Sequence, residues 1–376
     1  MSSTLLEAPV SSSTSWLDNI LLRICVSLQL TPTQHAMAEE HYLAVSKWLG
    51  RDESALARFR PNIFPQGSLR IQTTVRPWFR EEFDLDLVLW LALGAADPVA
   101  VLNLVEAELL KNGTYRPMVE RMNRCIRLNF AGQFHMDILP ARPDLSLGGD
   151  FLLVPDRNLH DWKESNPKGY ATWFETRSVL RAVMEKAATV EPLPRPQGAE
   201  SKTALQLVVQ LLKRWRYIRF MKTPDLAPIS IVLTTLAGQH YAGEAEAFDA
   251  LRNIVSRINR SIPASGRLQV CNPAHPEEDL SERWDKEPAA YRAFVDTMRE
   301  LESDLVAVER PETIATAKKR LENLFGDIVE RAVREQTIEV EKARDERKLG
   351  VTRSGLITTI AGAGTVPVKP HTFYGS

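Results

Sequence analysis

Two aspartates with a single residue between them, Asp84 and Asp86, lie inside an apolar segment, Glu82 to Trp90, which has the alternation typical of a β-strand. Successive side chains of a strand point to opposite faces. Asp84 and Asp86 therefore share one face, while Leu85 and Leu87 point into the core. Two carboxylates held side by side repel each other unless a cation lies between them. The pair predicts a site for a divalent metal ion.

A third acid, Asp137, lies in a second strand-like segment, His135 to Leu139. If the two strands pair, Asp137 joins Asp84 and Asp86 in one cluster. Three acids suit a two-metal mechanism, in which one ion lowers the pKa of an attacking hydroxyl and the other holds a triphosphate. Mg²⁺ is the expected ion because the ligands are hard oxygens, with Mn²⁺ as the alternative. His135 shares the face of Asp137, but a lone histidine is more often a hydrogen-bonded structural residue, so we assign it no catalytic role.

The third chemical element is Gln66-Gly67-Ser68, which precedes the acids. Glycine lets the backbone approach a phosphate closely, and Ser68 can donate its hydroxyl and its N–H. A helix over residues 69–73, with its N-terminus facing the site, would strengthen this. A Gly-Ser pair alone is weak evidence. Followed by Asp-x-Asp and a third strand acid, it is much more specific.

The first half of the chain supplies a mixed set of elements around these residues. Trp16, Ile20, Ile24 and Leu28 recur at helical spacing, and Thr31 to Gln34 has the composition of a capping box for a helix ending at Leu49, before Gly50. Strands are predicted over 82–90, 125–130 and 135–139, after a short segment at 63–68 that has no strand alternation, and a helix is predicted over 98–111.

The second half has helical periodicity, and its predicted helices span 173–190, 201–221, 229–242, 244–260, 288–308 and 311–348. We therefore predict three units: N-terminal helices and an α/β core over 1–172, a helical domain over 173–349, and an extended tail over 350–376.

Composition excludes several classes of protein. With 47 Lys and Arg against 48 Asp and Glu the net charge is −1, which argues against nucleic acid held by bulk charge, and 44% hydrophobic residues exclude disorder along the whole chain. Cys25, Cys125 and Cys271 lack the spacing of zinc sites or disulfide frameworks. Without a signal peptide or a membrane span in the sequence, we expect a cytoplasmic protein.

Four segments resemble the bacterial cGAS/DncV-like nucleotidyltransferases (CD-NTases) of the polymerase β-like superfamily, which make cyclic oligonucleotide signals in anti-phage systems. They are Phe64-Pro-Gln-Gly-Ser-Leu-Arg, Thr73-Thr-Val-Arg-Pro, Glu82-Phe-Asp-Leu-Asp-Leu-Val and His135-Met-Asp-Ile-Leu-Pro-Ala. Weaker likeness over 205–216, 228–236 and 272–284 extends the resemblance across most of residues 60–290.

The resemblance implies an α+β fold with a polymerase β-like lobe, a C-terminal helical lobe and an active site in the cleft between them. It implies synthesis of a cyclic di- or trinucleotide from nucleoside triphosphates, ATP among them, in anti-phage defence. Asp84 and Asp86 would bind both Mg²⁺ ions, and Asp137 would bind metal and activate the acceptor hydroxyl. The triphosphate would be held at Gln66, Gly67 and Ser68.

The resemblance also implies that a lysine from the first long helix after the core, and a serine from the start of the next helix, contact the triphosphate. Ser230 matches the serine. The lysine is Lys202 or Lys213, which lie about 20° apart around an ideal helix and could face one groove. We favour Lys202 because it lies nearer the start of the helix.

Several interpretations stay open. The basic residues of 201–222 could be a solvated helix face or could face the triphosphate, and Trp215 and Tyr217 could stack on a base or belong to the core. The alternative functions are a template-independent RNA or tRNA nucleotidyltransferase and an inactive nucleotide-sensing scaffold. The tail, with Phe373 and Tyr374 near prolines, could be a disordered terminus without a role or an extended peptide that binds a groove or a sheet edge. The resemblance implies a partner protein there, either a regulator that binds peptides or a conjugating enzyme.

Overall fold

The computed structural model describes residues 14–76, 82–178, 193–310 and 313–346, together with three short strands between 350 and 367. The strands are β1 Asn62–Pro65, β2 Phe83–Trp90, β3 Val119–Arg121, β4 Ile126–Phe130, β5 Phe134–Pro143, β6 Leu152–Asp156, β7 Asp161–Ser165, β8 Cys271–Asn272, β9 His275–Asp279, β10 Gly350–Thr352, β11 Ile357–Thr358 and β12 Thr365–Pro367. The helices are α1 Thr14–Ser27, α2 Pro32–Gly50, α3 Gly67–Arg70, α4 Pro98–Leu110, α5 Pro167–Arg177, α6 Ala204–Phe220, α7 Ser230–His240, α8 Ala247–Ser261, α9 Arg283–Lys286, α10 Pro288–Glu309, α11 Ile314–Phe325 and α12 Ile328–Asp345.

A mixed sheet forms the centre of the first half. Its order is β1-β2-β5-β4-β3, and β6 extends it by pairing with both β5 and β7. β2 and β5 are parallel, as a crossover through α4 allows, whereas β4 and β5 form an antiparallel hairpin. The sheet, with its neighbouring helices and the helical second half, confirms the predicted α+β fold.

Side-chain alternation along β2 separates the core from the reactive face. Leu85, Leu87 and Leu89 are fully buried, and they pack in one apolar cluster with residues of α2 and α4. Asp84 and Asp86 lie on the opposite face, as predicted. Burial of the leucines fixes the register of β2, because a shift by one residue would turn them to the other face.

A second apolar cluster joins α1, α5, α6, α7, α8 and the helices from α10 onward. α1, although N-terminal, buries Leu17, Ile20 and Ile24 in this helical cluster rather than against the sheet. The predicted boundaries at 172 and 349 stay predictions, but the core of the helical half includes this N-terminal helix.

Several helix limits differ from the predictions. The helix predicted over 311–348 is two helices, because Gly326 at φ +79° ends α11 and its N–H donates to the carbonyl of Glu322 at 2.8 Å. The helix predicted from 173 begins at Pro167, where Asn166 caps it; residues 179–190 lie outside the described ones. Gly50 is the last residue of α2, not the residue after it. The capping box at Thr31 and Gln34 is confirmed.

The described parts of the C-terminal segment, β10 to β12, form a small sheet of order β11-β10-β12. The rest of the predicted tail, including Phe373 and Tyr374, lies outside the described residues. Among the helices that the structure describes, none combines the length and apolar character needed to span a membrane.

Candidate active site

The parallel pairing of β2 with β5 brings the three acids together. The register places Asp86 opposite Asp137 and Asp84 opposite His135. The side chain of Asp84 is 57% exposed and that of Asp137 is 17% exposed. The conditional prediction that Asp137 would join the pair is therefore met by the strand pairing.

Burial and repulsion within this cluster raise the pKa of two of its carboxyl groups. The pKa of Asp86 rises to about 7, first because the carboxyl is buried and then because Asp84 and Asp137 carry like charges nearby. Lost solvation and the charge of Asp137 also raise the pKa of Asp84. The acids thus carry negative charge at a cost that a bound cation would offset.

Arg127 on β4 is a site residue that the sequence did not reveal. Its Nε and Nη2 donate to Oδ1 and Oδ2 of Asp137 at 2.7 and 2.8 Å, and Nη2 lies 3.7 Å from Oδ1 of Asp84. The antiparallel register of β4 with β5 places Arg127 opposite Asp137. The hairpin could have been recognised from two adjacent strand patterns, but its register could not.

His135 pairs with Glu82, whose carboxylate lies 2.8 Å from Nε2, and its Nδ1 is 3.5 Å from Oδ1 of Asp84. This contact agrees with the hydrogen-bonded role predicted for His135.

The Gly67-Ser68 turn lies against the acids. Gly67 has φ +62°, and a Cβ there would overlap the carboxylate of Asp86, so only glycine fits. The N–H of Gln66 donates to the carbonyl of Asp86 at 2.8 Å, which ties the turn to β2. Ser68 Oγ lies 3.1 Å from Oγ1 of Thr74. The condition that a helix opens over 69–73 is not met, because the helical segment here is the single turn α3, Gly67–Arg70.

The two candidate lysines occupy different places. Lys213 lines the cleft beside Asp86 and donates to the carbonyl of Thr73 at 3.0 Å. Burial lowers its pKa to about 8, partly opposed by the charges of Asp86 and Asp84. Lys202 lines a separate small cavity and donates to the carbonyl of Gln72 at 2.6 Å.

The preference for Lys202 is therefore not supported by the geometry, which favours Lys213. The helical-wheel argument assumed that both lysines lie on one helix. Lys202 precedes α6, whose N-cap is Thr203, and its ψ of 148° is extended. Of the two lysines, only Lys213 lies on α6 and lines the cleft.

The cleft has a volume of about 480 Å³, within the size range of small-ligand sites. Sheet and helical halves both line it, through Ser68, Asp84 and Asp86 on one side and Lys213, Tyr217 and Ser230 on the other. Trp215, only 3% exposed, belongs to the core instead. Several basic residues of this segment line the cleft, namely Lys213, Arg214 and Arg216. Arg214 is nevertheless buried, and its Nε donates to the carbonyl of Phe325 at 2.8 Å.

Comparison with known proteins identifies the family. Residues 16–178 match the family model of the Second Messenger Oligonucleotide or Dinucleotide Synthetase domain. A c-di-GMP synthase of Roseivirga ehrenbergii is 30% identical over 372 residues, which cover 97% of this chain and 99% of that protein. The chain belongs to the CD-NTases.

Other CD-NTases extend the likeness. The cyclic dinucleotide synthase CdnG of Bradyrhizobium diazoefficiens is 27% identical over 395 residues, 96% of this chain and 94% of CdnG. Its structure in complex with GTP has a TM-score of 0.71 and 25% identity, covering 85% of this chain and 97% of that one. Escherichia coli DncV, in its 3′-deoxy GTP bound form, shares the fold at 18% identity, a TM-score of 0.57, and 82% and 94% coverage. As a CD-NTase, the chain is a nucleotidyltransferase, and the predicted family and fold are confirmed.

Proposed function

We propose that this CD-NTase joins nucleoside triphosphates into a cyclic dinucleotide and that GTP is among its substrates. The observation that carries this is the convergence of Ser68, Asp84, Asp86 and Lys213 on one cleft, with Asp137 beside Asp86 on the neighbouring strand. The names of the two relatives that match almost the whole chain, a c-di-GMP synthase and a cyclic dinucleotide synthase, support a dinucleotide product and guanine substrates. The use of ATP and a trinucleotide product, both predicted from the sequence, stay predictions.

The chain's own residues divide the work. The Gly67-Ser68 turn and the Lys213 ammonium hold the triphosphate from opposite walls of the cleft, with Ser230 and the backbone at Gln66 beside them. Asp137 accepts the proton of the attacking ribose hydroxyl. The hydroxyl oxygen forms a bond to the α-phosphorus, the bond to the β-phosphate oxygen breaks, and pyrophosphate leaves. A second transfer within the linear intermediate closes the ring.

The carboxylates fit a divalent cation by their chemistry. Mg²⁺ takes hard oxygen ligands and usually one or two carboxylates plus substrate phosphate, which Asp84, Asp86 and a triphosphate would supply. Bound there, it would lower the pKa of the attacking hydroxyl and offset developing charge. In the described part of the chain no three acidic or histidine side chains already form an ion site, and Arg127 engages both oxygens of Asp137. Each oxygen of Asp137 keeps a second lone-pair direction beside its hydrogen bond to Arg127, so Asp137 could also bind the ion.

The two alternatives have less support. An RNA or tRNA acceptor needs contacts to many phosphates, and the net charge of −1 supplies no general attraction. An inactive scaffold would not need Gly67 pressed against Asp86 or the three mutually repelling acids. A role in anti-phage defence follows from the family resemblance alone, and a cytoplasmic location stays a prediction from the sequence. A regulatory or conjugating partner at the tail is likewise part of this proposal.

Purified protein incubated with all four labelled nucleoside triphosphates and Mg²⁺ provides the test. We expect phosphatase-resistant products whose masses match cyclic dinucleotides and contain guanine. The double variant Asp84→Ala, Asp86→Ala should give none, while Asp150→Ala, at an exposed acid outside the cleft, should match the unmodified protein. Linear products only, or equal turnover by the double variant, would contradict the proposal.

A further inference from the structure

A short hairpin from the helical half, β8 with β9, contributes to the same cleft as the acids. Asn272 and Glu278 of this hairpin both line the cleft. The hairpin is fastened to the sheet half: the His275 ring lies 3.0 Å from the carboxylate of Glu164, and Asn166 donates to the carbonyl of Ala274 at 3.3 Å. Glu278 is thus held at a fixed place in the wall of the cleft.

The carboxylate of Glu278 is oriented by a buried partner. Asn272, 5% exposed, donates from Nδ2 to Oε2 of Glu278 at 2.7 Å, and its own Oδ1 accepts from the N–H of Ala274 at 2.9 Å. This fixes both ends of the Asn272 amide. A carboxylate has about four lone-pair directions, so one hydrogen bond leaves acceptor capacity on both oxygens.

The neighbouring acids show that this placement is particular to Glu278. Asp279 is engaged by Arg267 at 2.6 Å and by Ser281, which closes the end of the hairpin. Glu277 is exposed and does not line the cleft. Of these three consecutive acids, Glu278 alone combines a cleft position with a single orienting contact within the described residues.

Glu278 also stands apart from the other cleft acids. Asp84 and Asp86 lie on β2 beside the Gly67-Ser68 turn, where a triphosphate is proposed to bind, and Glu82 is occupied by His135 and by the N–H of Gly132. A carboxylate contributed by the helical half is repelled by phosphates. It instead suits a part of the nucleotide that presents N–H or O–H donors.

We propose that Glu278, positioned by Asn272, selects guanine by accepting hydrogen bonds from its N1–H and N2 amino group. Guanine is the one common base with two adjacent donors on its pairing edge. Adenine and cytosine present a ring-nitrogen acceptor beside their amino group, and uracil presents one N–H between two carbonyls. A carboxylate therefore pairs with guanine through two charge-assisted hydrogen bonds and meets a lone pair on adenine.

This inference rests on the proposed function for the presence of a nucleoside triphosphate in the cleft, but its test measures binding rather than synthesis. Dissociation constants for GTP, ITP and ATP are compared by calorimetry for the unmodified protein and for Glu278→Ala, Glu278→Gln and Glu277→Gln. ITP lacks only the N2 amino group of GTP. Turnover is assayed separately, so failure of synthesis and failure of base selection give different results.

The unmodified protein should bind GTP at least about 10-fold more tightly than ITP, because ITP lacks the amino group that donates one of the two charge-assisted hydrogen bonds to Glu278. Glu278→Ala should bring this ratio close to one. Glu278→Gln, which is isosteric, should lower the preference for GTP over ATP by about 10-fold or more, because an amide can donate to adenine N1 and accept from its amino group. Glu277→Gln should leave every ratio unchanged.

Equal weakening of all three nucleotides by Glu278→Ala would show that Glu278 binds the ribose hydroxyls or supports the cleft wall, and would overturn the inference. The inference would also be overturned if Glu278→Ala kept the same ratio of dissociation constants for ITP and GTP as the unmodified protein, or if the unmodified protein did not bind GTP. Thermal melting of each variant distinguishes loss of the fold from loss of selectivity, and the isosteric Gln variant keeps the test valid if the Ala variant is unstable.

Discussion

Two regions of the molecule each hold a carboxylate among packed side chains: the interface between α2 and α4 holds Glu108, and the edge of β2 at the cleft holds Asp86. The charges around the two carboxylates differ in sign. Glu108 on α4 is 1% exposed; burial alone would raise its pKa, yet hydrogen bonds from Lys111, the N–H of Ala55 and Arg51 lower it. Asp86 on β2 is half-buried, and its pKa rises to about 7 because it loses solvation and because Asp84 and Asp137 add like charge.

This difference separates a structural acid from a functional one. The buried carboxylate of Glu108 accepts hydrogen bonds from Arg51, from Lys111 and from the N–H of Ala55, so the chain itself compensates its charge. The acids of the cleft are only partly matched, by Arg127 and more distantly by Lys213. A buried charge that the chain leaves uncompensated costs stability, and it marks a place where a ligand supplies the missing charge.

The largest effect is expected at the uncompensated acids. The double variant Asp84→Ala, Asp86→Ala should lose at least about 1,000-fold in turnover, because metal binding and charge stabilisation are removed together. Its melting temperature without Mg²⁺ should equal or exceed that of the unmodified protein, since repulsion is relieved. Calorimetric melting with and without Mg²⁺ checks this, and a clear fall in metal-free stability would contradict it.

At the compensated acid the pattern should reverse. Glu108→Ala should lower the free energy of unfolding by about 2 to 4 kcal/mol, because it strips Arg51 and Lys111 of their partner and leaves the N–H of Ala55 without an acceptor. Turnover per folded molecule should stay within about twofold. Urea unfolding measures the change, with Glu40→Ala on the exposed side of α2 as the control. Loss of activity without loss of stability would break the comparison.

The two lysines provide a smaller and sharper contrast. Lys213→Ala should raise the KM for nucleoside triphosphate about 10-fold, since its ammonium faces the cleft, as should Ser68→Ala to a lesser degree. Lys202→Ala should leave KM unchanged and lower only stability, through the lost hydrogen bond to Gln72. Asp137→Asn should instead act mainly on kcat. Steady-state kinetics on all four variants checks this division, and a KM effect at Lys202 alone would restore the sequence-based preference.

Asp18 on α1 is an intermediate case, with one hydrogen bond and two like-charged neighbours. Its Oδ1 accepts from the N–H of Phe248 at 2.7 Å, and burial, opposed by that bond, raises its pKa to about 6 from 3.8. The unfolded chain therefore ionises first as pH rises, and stability falls between about pH 4 and 6. Asp18→Asn keeps the acceptor and avoids the charge.

We expect Asp18→Asn to be about 1 kcal/mol more stable than the unmodified protein at pH 7.5 and equal to it near pH 4, where both carry a neutral side chain. Melting curves at the two pH values, with Asp150→Asn measured alongside, isolate the effect. The same difference at both pH values would assign it to packing instead of charge.

Local patterns in the sequence were enough for most of the helices and for the two strands that carry the acids. The alternation in β2 placed Asp84 and Asp86 on one face, and the capping box at Thr31 started α2 correctly. These features depend on residues within one strand or one turn of helix, so they can be predicted without knowing the rest of the fold. The break at Gly326 was missed because apolar spacing continues on both sides of it.

Contacts between distant segments were decided only by the tertiary structure. The register of β5 against both β2 and β4 brings Asp137 to Asp86 and Arg127 to Asp137, and no local pattern specifies it. The start of α6 at Ala204 separates Lys202 from Lys213, and only Lys213 meets the acids. The sequence by itself determined which residues could do chemistry. Burial of the leucine face of β2 against α2 and α4 fixed the pairing that assembles them, because that burial depends on segments far apart along the chain.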